Sequence, residues 1–237
     1  MKTTTLVTNN SMINYELKNI DPDDLEDLLI KVETSFDIAF VGDELVHIMT
    51  FGQLCEHLAN KIQLEHSDDC TSQQAFYKLR DAIIATSQVD HKKTISTDFP
   101  LAALFPRHNR RSQTKKMEAH VGFKLNIMRP PHWATGILAI MLLASIVGLF
   151  FYWQIGLAGL AFSIVGLWLA DKIGNELDLQ TVGQVAEKMT SAHYLKSRRD
   201  MRTFNKNEIE KVLVGLFSNY FDIDHGIHPE TNLERSI

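Results

Sequence analysis

One stretch of the chain breaks the alternation of polar and apolar positions. Residues 133–170, WATGILAIMLLASIVGLFFYWQIGLAGLAFSIVGLWLA, contain no charged side chain. As a single helix at about 1.5 Å per residue the stretch would be about 57 Å long. The hydrocarbon core of a bilayer is only about 30 Å thick. The pattern therefore predicts two apolar helices joined by a tight turn at Tyr152, Trp153 and Gln154, with spans at Trp133–Phe151 and Ile155–Ala170. The second span is near the lower limit of length, so it must stand upright or draw on its flanks. Trp133, Trp153 and Trp168 fall at the predicted span ends, where amphipathic rings favour the headgroup layer. Gly156, Gly159, Ser163, Gly166 and Ala170 recur at alternating intervals of three and four residues and form one small-residue stripe. Such a stripe lets two helix backbones approach closely. Its partner is either the first span, through Ala144, Ser145 and Gly148, or a second copy of the chain.

Outside this block the apolar positions follow helical spacing. Leu25, Leu28, Leu29, Val32 and Phe36 make one stripe, and Phe51, Leu54, Cys55, Leu58 and Ile62 another. Ile209, Val212, Leu213, Leu216, Phe217 and Tyr220 make a third. Asp21 before Pro22 is a start signal, Thr50 is a cap, and Asn205 with Glu208 reads as a capping pair. Weaker helices are predicted from Thr181 and around Phe76, Leu79 and Ile83. Strand signals are nearly absent, so the chain reads as all-α, with a transmembrane helical hairpin between two helical regions.

Charge adds an orientation. Residues 1–100 carry 17 acidic and 8 basic side chains, whereas residues 101–132 carry 7 basic and 1 acidic. Arg107, Arg110, Arg111, Lys115, Lys116, Lys124 and Arg129 precede the first span, and Lys172 follows the second. Positive flanks stay in the cytoplasm, so both termini are expected there, in a bacterial inner membrane. MKTTTLVTNN lacks the apolar run of a signal peptide, so no removed leader and no large exported part are expected. Arg107, Arg110, Arg111, Lys115, Lys116 and Arg129 are candidates for contact with anionic lipid headgroups. Cations beside a span need no nucleic acid to explain them, and none is expected as a partner. Two cysteines in a reducing compartment read as free thiols.

A resemblance enters through residues 25–62. Glu33-Thr34-Ser35-Phe36-Asp37-Ile38, followed by an acidic turn and Thr50-Phe51-Gly52-Gln53-Leu54, is similar to the second half of an acyl carrier protein, with Asp37 in place of glycine. Residues 207–233, with Pro229-Glu230-Thr231, resemble the first helix and loop of that family, and TVGQVAEKM at 181–189 resembles its fourth helix. The resemblance covers about a third of the chain, in pieces. It implies that the two terminal pieces complete one permuted four-helix bundle. It also implies a docking face on the acidic helix, carried by Asp23, Asp24, Glu26, Asp27 and Glu33. The family's attachment serine is missing: the matching positions are Asp21-Pro22-Asp23, and proline has no hydroxyl to carry an arm, so no cofactor is expected.

The regions are then 1–66, a carrier-like helical part; 67–100, helix and linker; 101–132, a basic juxtamembrane segment; 133–170, the hairpin; and 171–237, a C-terminal helical part. No nucleophile elbow, catalytic triad, phosphate loop or dinucleotide fingerprint is present. Glu65, His66, Asp68, Asp69 and Cys70, and the similar group Asp222, Asp224, His225, His228 and Glu230, lack the ligand spacing of a metal site. The expected function is non-enzymatic: a membrane-held docking or scaffold module for lipid- or acyl-processing enzymes. The other readings are a structural subunit that oligomerises through the small-residue stripe, and a carrier with an unconventional attachment residue.

Overall fold

A computed structural model describes residues 21–86, 95–221 and 227–233. In chain order the elements are α1 (Pro22–Phe36), α2 (Phe51–Lys61), β1 (Glu65–His66), α3 (Thr71–Thr86), α4 (Leu101–Leu104), α5 (Arg110–Val121), β2 (Met128–Arg129), α6 (His132–Phe151), α7 (Trp153–Ile173), β3 (Glu176–Leu177), α8 (Val182–Ala192), α9 (Tyr194–Ser197), β4 (Thr203–Phe204), a 3-10 turn (Lys206–Glu208) and α10 (Ile209–Phe221). The fold is mostly helical, and the described strands are two residues long. Two compact units result. One joins the residues up to Lys78 with those from Ala186 onward, and the other is Leu79–Val185.

The first unit unites the two ends of the chain. Asp21 caps α1 by accepting the Asp23 N–H at 3.0 Å, and Pro22 sits at the first helical position. Leu28, Val32 and Phe36 on one face of α1 are fully buried, as are Phe51 and Leu58 of α2 and Leu213 and Phe217 of α10. They share one core, in which Phe51 meets Phe217 edge-on at 5.2 Å and Phe36 meets Tyr194 at 5.0 Å. Each large apolar side chain buried this way contributes about 1.5–3 kcal/mol. β1 pairs in parallel with β4, Glu65 opposite Thr203 and His66 opposite Phe204. The terminal pieces thus fold as one body, with α1, α2, α10 and the short α9 around its core.

The predicted capping pair at Asn205 takes a different form. Asn205 accepts from the Asn207 N–H and heads the 3-10 turn. Glu208 turns away and accepts the N–H and the hydroxyl of Thr71, starting α3 from 137 residues away.

In the second unit, α6 and α7 are separated by Tyr152 alone and run alongside each other. Both are long and apolar enough to cross a membrane. The second is longer than the sequence pattern suggests, because Trp153, Gln154 and Asp171–Ile173 extend its two ends as helix. Ile140, Leu143, Phe150, Phe162 and Val165 are each more than half exposed. The small-residue stripe faces α6. A Cβ on Gly156 would lie 2.6 Å from the Leu149 backbone nitrogen, one on Gly159 would strike the Ser145 hydroxyl, and one on Gly166 would lie 2.7 Å from a Leu138 methyl. Ser163 is buried there too, and Ala170 is partly buried. The base of the pair is closed by an antiparallel ribbon, Met128 opposite Leu177 and Arg129 opposite Glu176.

One local device occurs in both units. Thr50 accepts from the Gln53 N–H while Gln53 Oε1 accepts from the N–H groups of Met49 and Thr50, and Gly52 N–H donates to Pro229 O. Thr181 accepts from the Gln184 N–H while Gln184 Oε1 accepts from Gln180 and Thr181, and Gly183 N–H donates to Thr97 O. A Cβ at Gly52 would stand 2.9 Å from Pro229 O and force a backbone to shift, and one at Gly183 would stand 3.0 Å from Thr97 O, a tight approach to which that carbonyl would have to yield. The ends of α1 and α5 also correspond. Asp37 (φ 51°) and Gly122 (φ 96°) take the left-handed conformation, and the carboxylates of Glu33 and Glu118 accept the N–H groups of Phe40 and Leu125.

Candidate functional site

The acidic face of α1 is the outward side of a helix whose other side is core. Asp23, Asp24, Glu26 and Asp27 are exposed, and Asp23 and Asp24 lie in the first turn, where carboxylates complement the helix dipole. Tyr220 of α10 borders this face: its hydroxyl donates to Asp27 Oδ2 at 3.4 Å, and Lys31 Nζ lies 3.7 Å above its ring. Desolvation, then the carboxylates of Asp27 and Asp24, hold the Tyr220 phenol above its ordinary range. Glu33 differs from the other four acids. It is only partly exposed and its carboxylate caps the turn after the helix, so its replacement would disturb the fold.

The basic segment is built into the base of the apolar pair. Arg110 is buried, and its guanidinium donates to Phe105 O at 2.9 Å and Asn175 O at 2.7 Å. Arg111 donates to Lys172 O, and Asn175 donates back to Arg107 O. Arg107 pairs with Glu176 at 3.3 Å, and Arg129 with Asp178 at 3.5 Å. Burial, and then the neighbouring Arg107 charge, lower the pKa of Arg110 from its ordinary value. Lys115 and Lys116 stand exposed on α5. Residues 172–176 take part in most of these contacts. Sequence reasoning passed over Asn175 and Glu176, because a short polar connection after an apolar helix has no periodicity to mark it.

The other chemistry-bearing residues pair locally. His66 Nε2 lies 2.9 Å from Asp68 Oδ1, and Asp69 accepts from Ser67. Asp222, Asp224 and His225 lie outside the described residues. Among the described residues, no three His, Cys, Asp or Glu side chains converge as a metal would require. Cys55 and Cys70 are free thiols. Desolvation and the Glu210 carboxylate push the half-buried Cys55 up to about 12, so it stays a neutral thiol at ordinary pH. A further group is structural: Arg198, 1% exposed, donates to Thr71 Oγ1 at 2.6 Å and Asp69 O at 3.2 Å, with Glu208 at 3.9 Å. Tyr194 joins it, its hydroxyl donating to Glu208 and accepting the Asn205 N–H.

Compared with protein-family models, curated proteins and solved structures, the chain finds no match.

Proposed function

We propose that this protein is a two-span anchor of a bacterial inner membrane that displays an acyl-carrier-like docking module on the cytoplasmic side. The observation that carries the docking role is the acidic edge of α1, four exposed carboxylates on a helix backed by a single core drawn from both ends of the chain. Such a face attracts a basic patch on a partner and steers its approach.

The membrane role is supported by the large side chains that α6 and α7 turn outward. An exposed apolar surface on two helices long enough to cross a bilayer suits contact with lipid. Positive residues at both ends of the pair and an uncharged turn support a cytoplasmic location for both termini. The left-handed Asp37, where the carrier phrase has glycine, and the Thr-Gly-Gln cap of α2 support the carrier resemblance. Pro22 stands at the attachment position, so this reading keeps the docking face and discards the arm. The protein is then non-enzymatic, and its effect on lipid- or acyl-processing partners is to raise their concentration at the membrane. The small-residue stripe, being filled by α6, offers less support to self-assembly through it.

The test reverses Asp23, Asp24, Glu26 and Asp27 to lysine and leaves Glu33 in place. Surface charges of this kind change stability little, so thermal unfolding should match the parent apart from a small loss of helix-dipole support. Partners captured from native membranes and quantified by mass spectrometry should fall at least about tenfold. A captured set indistinguishable from that of the parent would dispose of the docking face.

A further inference from the structure

A cleft of about 580 Å³ opens where α6 begins and α7 ends. Its wall is apolar, made by Trp133, Gly166, Leu169 and Ile173, and its mouth carries Arg107 and Glu176. These two charges pair at 3.3 Å, with the Arg107 side chain 76% exposed and that of Glu176 30%. Asn175 also lines the cleft. Its amide nitrogen is fixed by donation to Arg107 O at 2.9 Å, while its Oδ1 is buried and has no hydrogen-bond partner. An apolar trough with one cation and one anion at its mouth describes its own ligand: an amphiphile whose polar end carries both signs of charge.

We propose that this cleft holds one phospholipid with a primary-ammonium headgroup, phosphatidylethanolamine in chemical terms. The assignment rests on the two-span reading above, which sets the mouth of the cleft at headgroup depth. Arg107 takes the phosphate, for which a guanidinium is the best-shaped donor. Glu176 accepts the N–H groups of the ammonium, which a quaternary ammonium does not possess. One acyl chain starts along Trp133, Leu169 and Ile173 and continues into the bilayer. The cleft volume is within the range of about 300–1,000 Å³ usual for small-molecule sites. A purely anionic lipid would satisfy Arg107 but set its charge against Glu176. An exposed ion pair contributes little of its own, so it can exchange its internal partner for the two poles of the lipid.

The full-length protein is incorporated into vesicles of equal parts phosphatidylethanolamine, phosphatidylglycerol and phosphatidylcholine. Flotation checks incorporation, and native mass spectrometry in mild detergent reads the retained lipid. One phosphatidylethanolamine per chain is expected. Arg107→Ala should reduce retention about tenfold, the effect of losing one charge-assisted bond. Glu176→Gln should abolish the preference for the ethanolamine headgroup, and Trp133→Ala should weaken retention without altering the preference. Lys124→Ala, at an exposed cation after α5, should change neither; a loss there would reduce the effect to general surface charge and overturn the site. Equal retention of all three lipids, or of phosphatidylglycerol alone, would also overturn it. Incorporated protein that retains no lipid would refute the cleft alone, whereas protein that fails to float would refute the two-span reading and the cleft with it.

Discussion

Replacing Arg198 by leucine is expected to destabilise the chain-end unit by about 3–5 kcal/mol, the cost of leaving a buried charge network without its cation. The Arg198 side chain is fully buried, and it serves several acceptors at once: Thr71 Oγ1, Asp69 O and Thr203 Oγ1, with the Glu208 carboxylate beside them. These residues come from the loop before α3 and its first residue, the strand β4 and the turn before α10, so one guanidinium ties segments more than a hundred residues apart. Without it, Glu208 keeps Thr71 and Tyr194 as donors but loses its compensating charge. Lysine should not rescue the site, because a single ammonium cannot reproduce the fork that spans Thr203 and Thr71. The measurement is urea unfolding of the purified protein. The double variant Arg198→Leu with Glu208→Gln should recover at least about 1 kcal/mol relative to the sum of the single changes. Strict additivity would show that the two groups are not coupled.

The second large effect is expected in the apolar pair. Gly156→Leu should destabilise it by about 3 kcal/mol, the upper end of overpacking costs. Its new Cβ would meet the backbone nitrogen and Cα of Leu149, at 2.6 and 2.8 Å, and a backbone cannot rotate out of the way. Gly166→Ala should cost far less, since its nearest neighbours are the methyl groups of Leu138, the far end of a flexible side chain. Gly159→Leu should fall between them, because the Ser145 hydroxyl it meets can turn only by giving up its bond to Met141 O. Unfolding of the detergent-solubilised variants should rank them in that order. A Gly156→Leu protein as stable as its parent would mean that α7 does not close on α6 through this stripe.

Much of this architecture is legible in the sequence. The apolar block predicts α6 and α7 and their turn to within a few residues, because length and the absence of charge are signals that no tertiary contact overrides. Asp21-Pro22 and Thr50 mark the starts of α1 and α2 for the same local reason: a cap is satisfied within three residues. The lower end of α7 is less legible. Asp171 and Lys172 read as residues beyond the span, yet their backbone continues the helix to Ile173, where the ribbon with Arg129 takes over. Long-range partners are the least legible. Nothing near Glu208 announces that its acceptors serve Thr71, and nothing near Arg110 announces that its guanidinium is spent on backbone carbonyls. Composition alone places an arginine beside a span at the lipid surface. A usable signal does exist for the repeated cap: Thr-x-Gly-Gln-x-x-Glu stands at 50–56 and again at 181–187. Read together, these two phrases mark Gly52 and Gly183 as points of close backbone approach, although neither phrase names Pro229 or Thr97 as the chain that approaches.

The central claim, a hairpin across the membrane with both helical ends in the cytoplasm, is tested most directly by thiol labelling from one side. Tyr152→Cys in a background lacking Cys55 and Cys70 puts a single thiol in the turn between α6 and α7, at a position 70% exposed. The native Cys70, also exposed, reports the helical ends. A membrane-impermeant maleimide applied to intact spheroplasts should label the turn thiol of the Tyr152→Cys variant. The same reagent should label Cys70 in the parent protein only after lysis. Labelling of Cys70 in intact spheroplasts, or protection of the turn thiol until lysis, would contradict the account.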